Sequence, residues 1–264
     1  MTQDLDSPGP VTSPAASRLL VSTGWAIPGD DLIVPGAADR PVSLDIALNT
    51  YASDRLSLGS AIPGLDVVPV IGILRGCPPG RAPSVAAAAA DQGLRVVEVT
   101  LDSSEPLGQV KAIDRLNRLT VGVGSVLEKE QVHHAVTAGA RFVVCPTVDI
   151  EVIGACTDLG VPCIPGAATP TEIITAMRAG ATAVKVFPAA QLGGPGYISA
   201  ISAPLRHPPL VPTGGISADQ AAEYLAAGAS AIGAGITLFP PAALDTSNLD
   251  VVTDLARRWV EAVG

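Results

Sequence analysis

Lys185 is the residue of this sequence whose type and surroundings point most clearly to chemistry. The chain has three lysines, and two of them, Lys111 and Lys129, lie among charged residues, as on a solvated helix face. Lys185 lies in the apolar run ATAVKVFPAA. Burial there would favour the neutral amine, which can attack a carbonyl and form a Schiff base. The structural alternative is a lysine whose stem lies in the core while its head reaches water.

Glu98 is a second ionisable residue inside an apolar run, RVVEVT. The alternation of a strand leaves open whether it faces inward or outward. A carboxylate buried against helices without a partner is costly, whereas an inward one would share the interior with Lys185. There it could pair with the amine and transfer protons, with a pKa raised by burial. A core Glu–Lys or Glu–Arg bridge is the structural alternative.

Two glycine-rich segments, PTGGIS (212–217) and IGAGIT (232–237), follow apolar runs near the end of the chain. Glycines let backbone N–H groups converge on an anion without obstruction by side chains. Each segment alone also fits a simple turn. Together, after neighbouring strands, they predict a phosphate site.

The elements that would position these residues follow a repeating pattern, in which an Ala-rich helix ends in Gly and a β-branched run follows. The glycines are 93, 139, 160, 180 and 228, and such glycines typically end helices in the left-handed conformation. We predict eight parallel strands and a terminal helix over about 246–262. The strands are 67–74, 95–100, 120–125, 141–146, 162–166, 183–187, 209–214 and 230–235. This pattern predicts a (β/α)₈ TIM barrel, whose active site lies at the C-terminal ends of the strands. A doubly wound open sheet is the alternative, although no G-x-G-x-x-G motif with a following acidic residue supports it.

Composition limits the partners of the protein. The chain has 264 residues, 48% of them hydrophobic and 16% charged, and a net charge of −9. We therefore expect no binding to nucleic acid or to an anionic membrane. The four cysteines have no C-x-x-C spacing, and the N-terminus does not resemble a secretory signal, so we expect a cytoplasmic protein.

Residues 1–62 differ from the rest, because prolines at 8, 10, 14, 28, 35 and 41 alternate with Ser, Gly and Asp. We interpret them as a partly disordered N-terminal extension, with a strand or short helix within 42–57. Residues 63–264 would form the barrel.

The runs EVTL, GVGSV, PGAATPTE, KVFPA and PTGGIS, in this order, resemble the 2-dehydro-3-deoxy-phosphogluconate and 2-dehydro-3-deoxy-6-phosphogalactonate aldolases. The resemblance covers about 66–262 and implies a class I aldolase, an Entner–Doudoroff-type lyase with no metal or cofactor, in a homotrimer. It makes Lys185 the Schiff-base lysine and Glu98 the general acid/base. The substrate-binding residues that it implies are Arg75, Ser125, Pro146, Phe187, Thr213, Gly214, Gly215 and Gly235.

Three departures from the family pattern concern the substrate more than the lysine chemistry. Asp102 stands where the phosphogluconate-type enzymes have Arg, and Ile236 stands where the family usually has a phosphate-binding Ser. Ser199 stands where many relatives have Lys. The neighbouring Thr237 could substitute for the missing phosphate-binding Ser. Both C4 epimers of the sugar acid therefore remain candidate substrates, each in its phosphorylated or unphosphorylated form.

The resemblance implies cleavage of a 2-keto-3-deoxy-6-phospho sugar acid to pyruvate and glyceraldehyde 3-phosphate. One alternative is a phosphate-binding isomerase or epimerase that transfers protons through Glu98 and Asp102, with Lys185 as an electrostatic stabiliser. The other is a degenerate barrel that binds a ligand without catalysis.

Overall fold

The computed structural model describes residues 55–264, so most of the predicted extension lies outside the described residues. Helices and strands alternate along the chain as predicted. The helices are α1 (Arg55–Ala61), α2 (Ala82–Asp91), α3 (Pro106–Asp114), α4 (Lys129–Thr137), α5 (Ile150–Asp158), α6 (Pro170–Arg178), α7 (Gly194–Ser202), α8 (Ala221–Ala226), α9 (Pro241–Asp245) and α10 (Asp250–Val263). The strands are β1 (Val70–Leu74), β2 (Val96–Thr100), β3 (Thr120–Gly124), β4 (Val143–Val144), β5 (Cys163–Ile164), β6 (Gly166–Ala167), β7 (Val184–Val186), β8 (Leu210–Pro212) and β9 (Ile232–Ala234).

Within residues 55–264, all strand pairs are parallel, and the strands form a curled sheet in two hydrogen-bonded parts. One part has the order β5-β4-β3-β2-β1-β9 and the other has the order β6-β7-β8. The predicted strand 162–166 is divided into β5 and β6 at Pro165, which has no N–H to donate to a ladder. Its carbonyl still accepts a hydrogen bond from Lys185 N at 2.9 Å. A parallel bridge between Thr213 and Gly233 joins the two parts at their other side.

The glycine pattern used to predict the helix ends is confirmed. Gly93, Gly139, Gly160, Gly180 and Gly228 all have positive φ, between 64° and 108°. Each follows a helix and precedes the next strand. The repeat that predicted the α/β architecture is therefore a repeat of left-handed helix stops.

Side chains alternate between the inside and the outside of the curled sheet. The outward side chains pack with the helices in the larger apolar cluster. The inner cluster contains residues at the N-terminal ends of strands, such as Val96, Ala183 and Ala231, together with Leu58 and Ile62 from α1 and its end. These apolar side chains fill one end of the interior, so polar chemistry is left to the opposite, C-terminal ends of the strands.

The predicted terminal helix over about 246–262 is present as α10, which begins a few residues later, at Asp250. The side-chain oxygen of Asn248 accepts a hydrogen bond from Asp250 N at 2.8 Å, at the start of this helix. The short helix α9, which precedes the predicted range, was not predicted. Within residues 55–264, no helix has the length and apolar character that a membrane crossing requires.

Candidate active site

Lys185 lies at the centre of β7 and points into the interior of the curled sheet. Its side chain is 6% exposed, although it is ionisable. No hydrogen bond or ion pair joins its amine to another residue within the described part of the chain. The Nζ atom lies 5.5 Å from the centroid of the Phe187 ring. By contrast, Lys129 is exposed and pairs with Glu151 at 2.7 Å.

Glu98 faces inward, which decides between the two orientations that the sequence left open. It is 1% exposed, and its Oε1 atom is buried without a hydrogen-bond partner. Burial raises the pKa of this carboxyl, and the neighbouring Lys185 and Arg75 only partly oppose that rise. A buried, unsatisfied carboxyl of this kind costs stability, which is typical of a functional group rather than a structural one.

Glu98, Lys185 and Thr213 line the same small cavity, together with apolar side chains such as Ile73 and Val211. Its volume is about 10 Å³, near the size that one water molecule needs. Glu98 and Lys185 form neither a hydrogen bond nor an ion pair, so the core-bridge alternative is not what the structure contains. The two groups face a common space from opposite strands.

Glycines on neighbouring strands make room for the polar side chains. A Cβ atom at Gly124 would collide with the Glu98 carboxyl, and one at Gly233 would collide with the Thr213 hydroxyl. Both glycines occupy inward positions of their strands. The sequence prediction missed Gly124, although a glycine at an inward strand position is a detectable signal of close approach.

Arg75, Asp102 and Ser125 form one corner of the pocket rim, here called the arginine corner. Arg75 Nη1 donates to Asp102 Oδ2 at 2.7 Å, and Arg75 Nη2 donates to Ser125 Oγ at 3.3 Å. Partial burial opposes ionisation of Asp102, but the hydrogen bond from Thr100 Oγ1 and the guanidinium of Arg75 outweigh it, so its pKa lies below the usual range. Asp102 therefore compensates the charge of Arg75.

Ser125 adopts a left-handed backbone conformation, with φ of 61°, at the end of β3. Such a conformation is uncommon for a residue with a Cβ atom. It directs the hydroxyl to Arg75. The buried Thr100, which the sequence prediction missed, lies on the same strand face as Glu98, and its hydroxyl oxygen, which donates to Asp102, also lies 3.2 Å from Leu74 O.

Thr213, Gly214, Gly215 and Gly235 form the opposite corner of the rim, here called the glycine corner. Gly214 and Gly215 have φ of 95° and 73°, which only glycine adopts easily. Across the described residues, the backbone N–H groups of Gly214, Gly215 and Ile216 donate no hydrogen bond to a protein group. Three consecutive free N–H groups can receive an anion.

The departures from the family pattern are visible at and near this corner. Ile236 is 66% exposed beside Gly235. The Thr237 hydroxyl donates to Ile216 O at 2.7 Å, so its proton is committed to the backbone. Ser199 lies exposed on α7. The segments 186–205, 209–218 and 229–244, which surround the corner, contain no charged residue.

Phe187 and Pro146 lie between the two corners. The Phe187 ring is packed near Gly214, since a Cβ atom there would be 3.0 Å from ring atoms. The Pro146 carbonyl approaches Gly166 closely enough to exclude any larger residue at that position. The structure therefore brings the predicted site residues to one end of the sheet.

Comparison with known proteins places this geometry in a family. The model of the KDPG and KHG aldolase family matches residues 60–255. The chain belongs to the KDPG and KHG aldolase family. Within it, the chain is 34% identical to a 2-dehydro-3-deoxy-phosphogluconate aldolase of Treponema pallidum over 210 residues, which cover 79% of this chain and 99% of that protein.

Other family members are similarly close. A 2-dehydro-3-deoxy-6-phosphogalactonate aldolase of Escherichia coli is 35% identical over 175 residues, which cover 65% of this chain and 85% of that protein. The structure of KDPG aldolase from Legionella pneumophila, with pyruvate captured as a covalent carbinolamine intermediate, matches with a TM-score of 0.69 and 30% identity. That match covers 75% of this chain and 96% of the other.

Proposed function

We propose that this protein is a class I aldolase that cleaves a 2-keto-3-deoxy-6-phospho sugar acid to pyruvate and glyceraldehyde 3-phosphate. The observation that carries the proposal is the pair of buried groups, Lys185 and Glu98, that face one small cavity with no hydrogen bond or ion pair between them. An unpaired amine and an unsatisfied carboxyl are the two groups that Schiff-base chemistry requires.

In this mechanism the neutral amine of Lys185 attacks C2 of the substrate to form a carbinolamine. The protonated carboxyl of Glu98 donates its proton to the carbinolamine hydroxyl, which leaves as water and gives an iminium. Glu98, now a carboxylate, takes the proton of the C4 hydroxyl. The C3–C4 bond breaks, its electrons move into the iminium to form an enamine, and the aldehyde leaves. Glu98 gives this proton to C3, and water hydrolyses the iminium to pyruvate and free Lys185, with the released proton returning to Glu98.

The two corners of the rim bind the two ends of the substrate. Arg75 and Ser125 hold the carboxylate of the pyruvyl part, because a guanidinium presents several donors to a carboxylate. Pro146 and Phe187 shape the pocket between the corners. The free N–H groups of the glycine corner, beside Gly235, receive the phosphate. The buried Thr213 hydroxyl donates to Val211 O at 3.2 Å and lines the cavity of Lys185, so it is not a free donor to the phosphate.

The test is pyruvate release from the phosphogluconate- and phosphogalactonate-derived substrates, beside their unphosphorylated forms. Lys185→Met should abolish release, whereas Lys129→Met, which changes an exposed lysine, should not alter it. Full activity of Lys185→Met would disprove the proposal.

The isomerase alternative requires Asp102 as a second proton-transfer group. Asp102 accepts hydrogen bonds from Arg75 and Thr100, and its pKa is lowered, so it is held as a carboxylate in an ion pair. Glu98 thus has no free acidic partner in the site. This arrangement favours the aldolase over the isomerase.

We also infer that the two parts of the sheet close into one (β/α)₈ barrel. Pro165 O continues the pairing between β5 and β7, and Ser230 N donates to Leu210 O at 2.8 Å on the opposite side. The division into an extension at 1–62 and a barrel at 63–264 stays a prediction. Leu58 and Ile62, which precede the predicted boundary, pack in the inner apolar cluster of the barrel.

A homotrimer and a cytoplasmic location complete the proposal. The chain matches, at 32% identity and a TM-score of 0.69, a cube-shaped cage designed by fusing symmetric oligomeric domains. That likeness supports a symmetric assembly. The four cysteines are free thiols, which fits a reducing compartment.

A further inference from the structure

A buried glutamine, Gln109, lies beneath the arginine corner. It belongs to α3, is 3% exposed, and makes three hydrogen bonds. Its Oε1 atom accepts from Ala82 N at 2.8 Å, and its Nε2 atom donates to Ser104 O at 2.7 Å and to Cys77 O at 3.2 Å. Both amide hydrogens of Nε2 are therefore used, and the amide orientation follows from its partners.

Two of these partners, Cys77 and Ser104, belong to the loops that carry Arg75 and Asp102. Cys77 follows Arg75 by two residues, and Ser104 follows Asp102 by two residues. Cys77 is held at both of its backbone groups, since its N–H also donates to Ser103 Oγ at 3.0 Å and its carbonyl also accepts from Ser104 N at 3.2 Å. Gln109 thus ties the loop after β1 to the loop after β2 and to the start of α2.

The ion pair between Arg75 and Asp102 is too weak to fix the position of the Arg75 loop. The side chains of Arg75 and Asp102 are 48% and 51% exposed, and such exposed pairs contribute only about 0–1 kcal/mol. Gly76, between Arg75 and Cys77, has φ of 61° and open space where a Cβ atom would be. The backbone that carries Arg75 is therefore held mainly through the buried contacts at Cys77.

We propose that Gln109 is a positioning residue for substrate binding, which acts by holding the Arg75 loop in register with the Asp102 loop. This inference rests on the proposed function, in which Arg75 binds the pyruvyl carboxylate. Gln109 touches neither substrate nor Lys185, so its effect should fall on binding and not on the lysine chemistry.

Gln109→Met preserves length and apolar stem but removes all three hydrogen bonds. We expect KM for the 2-keto-3-deoxy substrate to rise about 10-fold, with kcat changed less than about 2-fold, because lost hydrogen bonds of this kind alter orientation more than reaction steps. The matched control is Gln92→Met at the end of α2, far from the corner, which should leave both constants unchanged. An unchanged KM in folded Gln109→Met would overturn the proposal.

A double-mutant cycle separates positioning from a general structural role. In the Arg75→Leu background, Gln109→Met should raise KM no further, because the group it positions is absent. Additive effects would overturn the proposal. If Gln109→Met does not fold, Ser103→Ala removes the side-chain acceptor of the Cys77 N–H and should raise KM with the same dependence on Arg75. An independent effect of Ser103→Ala would contradict the proposal equally.

Borohydride reduction with pyruvate distinguishes failure of this inference from failure of the proposed function. Wild type and Gln109→Met should both form the covalent adduct at saturating pyruvate. An adduct with unaltered KM rejects only the role of Gln109. No adduct in the wild type rejects the aldolase itself.

Discussion

In the proposed function, the arginine corner and the glycine corner bind the two anionic groups of the substrate by different means. At the arginine corner, a guanidinium is aimed by an ion pair, a serine hydroxyl and the loop contacts around Cys77. At the glycine corner, backbone N–H groups are left free by positive φ values at Gly214 and Gly215, with no charged side chain in the surrounding segments. One corner is built from side chains and the other from the main chain.

This difference shows where substrate specificity can change. A side-chain site depends on the identity of several neighbours, so Asp102 alters the net charge that Arg75 presents. A main-chain site keeps its donors whichever residues surround it, and it changes mainly through what stands at its rim. Ile236 is such a residue, because it places an exposed aliphatic side chain where a hydroxyl would add a donor.

The largest effect should come from the group that lies between the corners. Glu98→Gln should lower kcat about 10²- to 10⁴-fold, which is the usual contribution of a general acid/base. Steady-state assays of pyruvate release would measure it, with the exposed Glu130→Gln as control. Because Glu98 is proposed to act on the reacting bonds and not on the carboxylate or phosphate of the substrate, KM should change little. A large change in KM with normal kcat would assign Glu98 to binding instead.

Removing the charge at the arginine corner should have the next largest effect. Arg75→Leu should raise KM about 10- to 10²-fold, as expected for the loss of about 1.5–3 kcal/mol from charged hydrogen bonds. The rise should be the same for phosphorylated and unphosphorylated substrates, because both carry the pyruvyl carboxylate. A rise confined to the phosphorylated substrate would place Arg75 at the phosphate end and reverse the assignment of the corners.

A hydroxyl at the glycine corner should have a smaller and more selective effect. Ile236→Ser should increase kcat/KM for the phosphorylated substrate about 10-fold, because a hydroxyl can donate to the phosphate. The unphosphorylated substrate should respond little. Ile150→Ser, which changes another exposed isoleucine, serves as the control. Equal changes for both substrates would show that Ile236 does not border the phosphate.

The smallest effect should be on stability, through the raised pKa of Glu98. The folded state retains a proton that the unfolded state releases above about pH 4.3. Below that pH both states are protonated, and the contribution of Glu98 to the free energy of unfolding is fully present. It is lost progressively as the pH rises from there through the raised pKa of the folded state. Urea unfolding should show the wild type losing stability relative to Glu98→Gln as the pH rises, by about 1.4 kcal/mol per unit of pKa shift. A pH-independent difference would mean that Glu98 is not desolvated.

The sequence was sufficient for features with a local cause. Helix-ending glycines reveal the α/β repeat, and Lys185 and Glu98 are conspicuous because each interrupts an apolar strand. The sequence was insufficient for contacts between residues that are distant along the chain. The contacts of Gln109 with Cys77 and Ala82 join residues about 30 positions apart, and nothing in PLGQVKAID marks that glutamine. The pairing of Asp102 with Arg75 likewise required the two loops to be placed side by side.

Reductive trapping identifies the Schiff-base nucleophile directly. The protein is incubated with pyruvate and borohydride, and intact mass and peptide mapping locate the product. We expect one reduced pyruvyl adduct per chain on Lys185, none in Lys185→Arg, and retained trapping in Lys129→Arg. No adduct, or an adduct on Lys111 or Lys129 alone, would contradict the assignment of Lys185 as the Schiff-base nucleophile.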